Sequence, residues 1–124
     1  MSDDKDKDKD KDKKVDEYTQ REYCLKQAHE AVMHGRNHVY GDPTDNFKDT
    51  AKLFNIFIQA KLRKFDINIH PYVDIIEAQD IALLMIFLKT ARLINTPAHV
   101  DSYIDIAGYA ACGLECAMKR AFAS

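Results

Sequence analysis

The chain has 124 residues, and its 18 Lys+Arg against 20 Asp+Glu leave a formal charge of -2. That describes one small domain, long enough to hide roughly two thirds of its unfolded surface. A near-neutral balance excludes a general nucleic-acid binder, which needs a basic surface to displace counterions; 46% hydrophobic content with 4 Gly and 3 Pro excludes a wholly disordered or linker-like chain.

Residues 2–14 are almost pure Asp and Lys, with Asp3, Asp4, Asp6, Asp8, Asp10 and Asp12 set against Lys5, Lys7, Lys9, Lys11, Lys13 and Lys14. The stretch is electrically balanced and has nothing apolar to bury, so a disordered, solvated tail is expected over 1–14, ahead of a folded domain over 15–124. It does not have the apolar centre of a secretory signal. The longest apolar run, residues 81–88, is eight long, against about 20 for a membrane span. Cys24, Cys112 and Cys116 form an odd set without a CxxC pair, which reads as free thiols in a reducing cytoplasm. Cys112 and Cys116, one helical turn apart, read as small buried side chains.

Four helices are expected in chain order, giving an all-α, four-helix-bundle-like domain. The first covers residues 15–34, with Tyr18, Leu25, Ala28 and Val32 on one face and Gly35 as its stop. The second starts with Thr44 as N-cap and carries Phe47, Ala51, Phe54, Phe57, Ile58 and Lys61 on a broad stripe. Residues 66–70 read as a loop. Pro71 suits the first turn of a third helix over 71–95, whose middle is apolar all round, as in a helix central to a bundle or at a subunit interface. Thr96 and Pro97 end it. The fourth spans about 100–121 and holds Gly108 and Gly113 in its middle. Glycine there costs about 1 kcal/mol against alanine, so a close helix approach is the expected reason.

Two carboxylate pairs carry the candidate chemistry. Glu77 and Asp80 share a face of helix three, and Asp101 and Asp105 share a face of helix four. Clustered carboxylates from facing helices are how Mg²⁺ is held beside phosphate, with Asp80 and Asp105 as the catalytic members of a metal set formed by all four. A simple hairpin separates the pairs by most of helix three, which strains a shared site within one subunit; a dimer could bring them together. Taken singly, Asp101 also suits an N-cap and Asp105 the positive end of a helix dipole. Lys89 and Arg92 lie near Asp101 and Asp105 in that hairpin, either as a phosphate clamp or as a salt-bridge network. His38 and Tyr40, with Asp42 and Asn46, are the expected contacts to a base or sugar. The spacing of the five histidines matches no zinc site, and the chain contains no Walker loop, GxGxxG or GxSxG.

Three stretches together resemble a family of small helical proteins found mainly in bacteriophages and prophages. They are Asn37-His38-x-Tyr40-Gly41-Asp42-Pro43-x-x-Asn46-Phe47, then Asp80-x-Ala82-Leu83-Leu84-Met85 with Lys89-x-x-Arg92-Leu93, then Asp101-Ser102-x-x-Asp105-x-Ala107-Gly108-Tyr109-Ala110. The resemblance covers roughly residues 20–115. It implies a phage genome and a host-cell cytoplasmic setting, and it carries no activity with it. More distantly, the chain is similar to the all-α nucleoside triphosphate pyrophosphohydrolases of the MazG and dimeric dUTPase type. Those hold Mg²⁺ with ExxE on one helix and ExxD on the next, usually as oligomers. Glu77-Ala78-Gln79-Asp80 matches ExxD; Asp101 and Asp105 form DxxxD instead, and helix two offers only Asp45 and Asp49. Three functions are therefore expected as alternatives: a Mg²⁺-dependent nucleotide pyrophosphohydrolase, a nucleotide-binding module without turnover, and an oligomer that docks on a host protein. A homo-oligomer is expected in each, with a nucleotide or nucleotide-derived ligand in the first two and no membrane partner.

Overall fold

The computed structural model describes residues 19–35 and 42–123. The Asp/Lys tail, Tyr18, His38 and Tyr40 lie outside the described residues. Four α-helices follow in order, α1 (Gln20–Glu30), α2 (Pro43–Arg63), α3 (Ala78–Asn95) and α4 (Val100–Ala123), and α1 runs into one π-helical turn, Ala31–Gly35. The described residues contain no strand. The all-α expectation is met.

Thr19 caps α1, its hydroxyl accepting from the Glu22 amide at 3.2 Å. The cap of α2 is Asp42, not Thr44. The Asp42 carboxylate accepts from the Thr44 amide at 2.9 Å and from its hydroxyl at 2.7 Å, while Pro43 takes the first helical position. Proline fits there because the amide it lacks is one a helix leaves unpaired anyway. Past the far end of α2, Asp66 adopts φ 58°, and the Ile67 amide reaches back to the Leu62 carbonyl at 3.1 Å. This is the left-handed close that terminates many helices, in a residue type that tolerates it.

The third helix begins seven residues later than Pro71 implies. Residues 67–77 are irregular, and the start is fixed by a reciprocal box at Glu77 and Asp80. The Asp80 carboxylate accepts from the Glu77 amide at 2.9 Å. Asn55 of α2, itself buried, holds the incoming strand of chain: its side chain accepts from the Ile76 amide at 2.7 Å and donates to the Ile76 carbonyl at 2.8 Å.

The α3–α4 hairpin is the centre of the fold; α1 packs on α4 and α2 on α3, and among the described residues α1 and α2 do not meet. The closeness of α3 and α4 comes from small side chains. A Cβ on Gly113 would lie 3.0 Å from the Cβ of Ala82, which is fully buried. On the other flank a Cβ on Gly108 would lie 3.2 Å from a γ-methyl of Val32. The expected role of both glycines holds. Phe47 of α2 meets Tyr109 of α4 with ring centroids 6.3 Å apart. The buried side chains are small: Ala28, Ala51, Ile81, Ala82, Ile104, Cys112 and Cys116, with Thr44, Asn55 and Ser102. All three cysteines are free thiols. No described helix is long and apolar enough to cross a membrane.

The stripe read on α2 divides in the fold. Ala51 turns inward, whereas Phe54 and Phe57 are exposed, together with Leu53 and Ile56. On α1, Ala28 is buried and Leu25 is exposed.

Candidate functional site

The expected residues separate into two groups. Glu77 and Asp80 close the start of α3, and Glu77 also pairs with Arg120 near the end of α4. Asp105 lies toward the other end of the hairpin, where Lys89 binds it at 3.1 Å, both side chains largely buried. On α3, which spans Ala78–Asn95, Lys89 lies about 14 Å beyond Asp80 at 1.5 Å per residue. Asp101 sits exposed in the first turn of α4, one residue inside the helix rather than at its cap. Among the described residues no group of three or more His, Cys, Asp or Glu is placed to hold a metal ion. One chain therefore does not gather Glu77, Asp80, Asp101 and Asp105 around a common centre. Of the basic pair, Lys89 is engaged by Asp105, as a salt bridge tying the two helices, and Arg92 is exposed. Asp42 caps α2, and Asn46 is exposed in its first turn.

The structure instead places a cavity where three elements converge. Its volume is about 350 Å³, at the lower end of the roughly 300–1,000 Å³ of small-molecule sites. Thr44, Lys48, Ala51, Lys52 and Asn55 of α2 form one wall, Asp74 with Ile76 to Gln79 a second, and Cys116, Lys119 and Arg120 of α4 a third. Lys48 and Lys52 project one turn apart from the same face of α2. Asn55 fixes the position of the second wall through Ile76, and the first turn of α3 opens here with its amide-rich, positive end.

Four cations, Lys48, Lys52, Lys119 and Arg120, thus face two carboxylates, Asp74 and Glu77. Lys119 reaches toward the α2 cap, donating to the Thr44 hydroxyl at 3.2 Å and lying 3.7 Å from both Asp42 and Glu115. Bonds from the Thr44 hydroxyl and amide, in that order, hold the Asp42 carboxyl below its ordinary range. Burial pushes the Cys116 thiol up, aided by Cys112 and Glu115, so a protonated, unreactive sulfur backs the cavity. The Gln79 amide nitrogen donates to Glu77, and its carbonyl oxygen is buried without a partner. Among the described residues Lys48 and Lys52 carry no ion pair.

Sequence reading missed Lys48, Lys52, Asn55, Lys119 and Arg120. The i,i+4 lysines were a visible signal, though solvated helix faces carry the same pattern. Lys119 and Arg120 resemble ordinary charge complements to a helix C-terminus.

These features define an all-α domain with a cation-rich cavity at the meeting of α2, α3 and α4. Residues 23–117 match the family described as a domain of unknown function, DUF6378, and the chain belongs to that family. It is 36% identical over 91 residues to the Gene 55 protein of Mycobacterium phage D29, covering 73% of this chain and 51% of that protein. It is 33% identical over 86 residues to the Gene 55 protein of Mycobacterium phage L5, covering 69% of this chain and 47% of that protein. The chain spans about half the length of these relatives. No solved structure matches it.

Proposed function

We propose that the chain is a phage module that binds a small phosphate-bearing molecule, of the nucleotide class, in the cavity between α2, α3 and α4. The observation that carries this reading is the excess of cations there: Lys48, Lys52, Lys119 and Arg120 against Asp74 and Glu77. Arginine offers phosphate a planar fork and lysine a point charge, and the amides of the first turn of α3 add donors at a helix N-terminus. Mg²⁺ would enter with the phosphates, through Asp74, since that ion usually takes one or two carboxylates and keeps several waters.

Binding without turnover is favoured over pyrophosphohydrolysis. Glu77 and Asp80 are occupied in starting α3, and Asp105 is occupied by Lys89. In the cavity itself the cationic side chains outnumber the carboxylates.

The test is calorimetric titration with pyrophosphate and with a set of ribo- and deoxynucleoside triphosphates, with and without Mg²⁺. Lys52→Ala removes a cation that has no ion pair among the described residues, so folding is unchanged; binding weakens by about tenfold, as for one charge-assisted hydrogen bond. Arg120→Ala weakens it further, and Arg92→Ala leaves it intact. Chromatography of the mixture recovers the nucleotide unchanged. Absence of binding, or equal weakening by Arg92→Ala, overturns the reading. A triphosphate converted to monophosphate restores the hydrolase alternative.

A further inference from the structure

The outer face of α2 is apolar and bare. Leu53 is 67% exposed, Ile56 68% and Phe57 64%, while the face turned into the chain buries Thr44, Ala51 and Asn55. A helix that turns its large apolar side chains outward and its small and polar ones inward has been patterned for something outside this fold. The outward residues Leu53, Ile56, Phe57 and Ala60 follow 3,4 spacing, the pattern of a helix-pairing seam. Asp49 lies one turn before the seam and Lys64 one turn after it, both exposed, and neither has an ion pair among the described residues.

We infer that this face pairs with the same face of a second copy, the two α2 helices running antiparallel about a two-fold axis between Ile56 and Phe57. That register sets Leu53 against the partner's Ala60 and Ile56 against the partner's Phe57. It also sets Asp49 against the partner's Lys64, twice per dimer by symmetry. The two ends of the seam are complementary in charge only in this direction: a parallel pairing would set Asp49 beside the partner's Asp49 and Lys64 beside the partner's Lys64. On α3 a further row, Leu83, Phe87 and Ile94, is also bare, with Phe87 68% and Ile94 78% exposed. The exposed parts of these two rows come to on the order of 800 Å² per copy, taking about 200 Å² for a large side chain. Stable complexes bury roughly 800 Å² per partner. The additional length of the relatives is the rival occupant, but it does not account for the matched charges at the ends of the α2 seam.

Sedimentation velocity of the full chain over a range up to tens of micromolar tests this. A dimer of twice the 14.2 kDa chain mass is expected. Phe57→Arg abolishes it with helical circular dichroism unchanged. Asp49→Lys alone and Lys64→Asp alone each place like charges together and raise the dimer Kd by about tenfold, while the double exchange returns it to within about threefold of the parent. A chain that stays monomeric, or a dimer that the double exchange fails to rescue, overturns the proposal.

Discussion

Gly113→Ala is expected to destabilise the chain, and Gly108→Ala is not, although both replace a helical glycine with the best helix former. The propensity gain is the same at both sites, about 1 kcal/mol. The surroundings differ. At position 113 the new methyl would lie 3.0 Å from the Cβ of Ala82, where carbon atoms normally rest at about 3.5–4.0 Å. A Cβ cannot rotate away, so α3 and α4 must part by about 0.5 Å or more along their main contact. Overpacking of this kind costs about 1–3 kcal/mol, which leaves a net loss of about 1 kcal/mol. At position 108 the neighbour is a γ-methyl of Val32 at 3.2 Å, on a half-buried side chain in the π-helical turn. That methyl gives way by a small rotation, and a net gain of about 0.5 kcal/mol remains. Urea unfolding followed by far-ultraviolet circular dichroism reads both, at one fixed protein concentration because dimerisation adds to apparent stability. Ala82→Gly in the Gly113→Ala background reopens the contact, so the two substitutions couple favourably by about 1 kcal/mol. If Gly113→Ala stabilises as much as Gly108→Ala, α3 and α4 do not approach closely enough at Ala82 for a methyl to clash.

Asn55→Ala strips the partner from both the Ile76 amide and carbonyl; with the groups partly buried, a loss of about 2 kcal/mol in urea unfolding is expected, and a loss below about 0.5 kcal/mol would mean the 67–77 segment is held elsewhere. Asp42 titrates below its ordinary 3.8 because of the bonds from Thr44. Its contribution to stability is therefore complete above that ordinary value and disappears as pH falls through the lowered one. The Asp42→Ala variant should differ most from the parent near neutral pH and converge with it in acid; a gap that persists in acid would place the effect outside the carboxylate's ionisation. With a disulfide-exchange reagent under native conditions near neutral pH, half-buried Cys24 should react first. Buried Cys116, its thiol pushed up by burial, should react only on unfolding. A Cys116 that reacts as fast as Cys24 would show that the cavity wall opens.

Local chemistry in the sequence determined the number of helices and several of their ends. Thr96 and Pro97 after Asn95 close α3 because the residue before proline is held out of the helical region, and α4 opens at Val100 as read. The cap of α2 was also locally encoded, since an acidic residue directly before proline suits N-cap and first helical position, which places the cap at Asp42 rather than Thr44. Gly108 and Gly113 announced close packing by their cost, and their partners Val32 and Ala82 supplied it. What tertiary structure alone decided is of longer range. Pro71 permits a helix start, but α3 starts at Ala78 because Asn55, 21 residues before Ile76, takes both backbone groups of Ile76 just ahead of the Glu77 and Asp80 box. The cavity likewise depends on bringing Lys48 and Lys52 to Lys119 and Arg120, remote along the chain and charged like many solvated residues. The apolar residues of α2 and α3 were visible one by one, but periodicity does not state which of two apolar faces meets the same chain. That follows from packing: small residues on α4 draw α3 in by one flank, and Leu83, Phe87 and Ile94 are left exposed, as Leu53, Ile56 and Phe57 of α2 are.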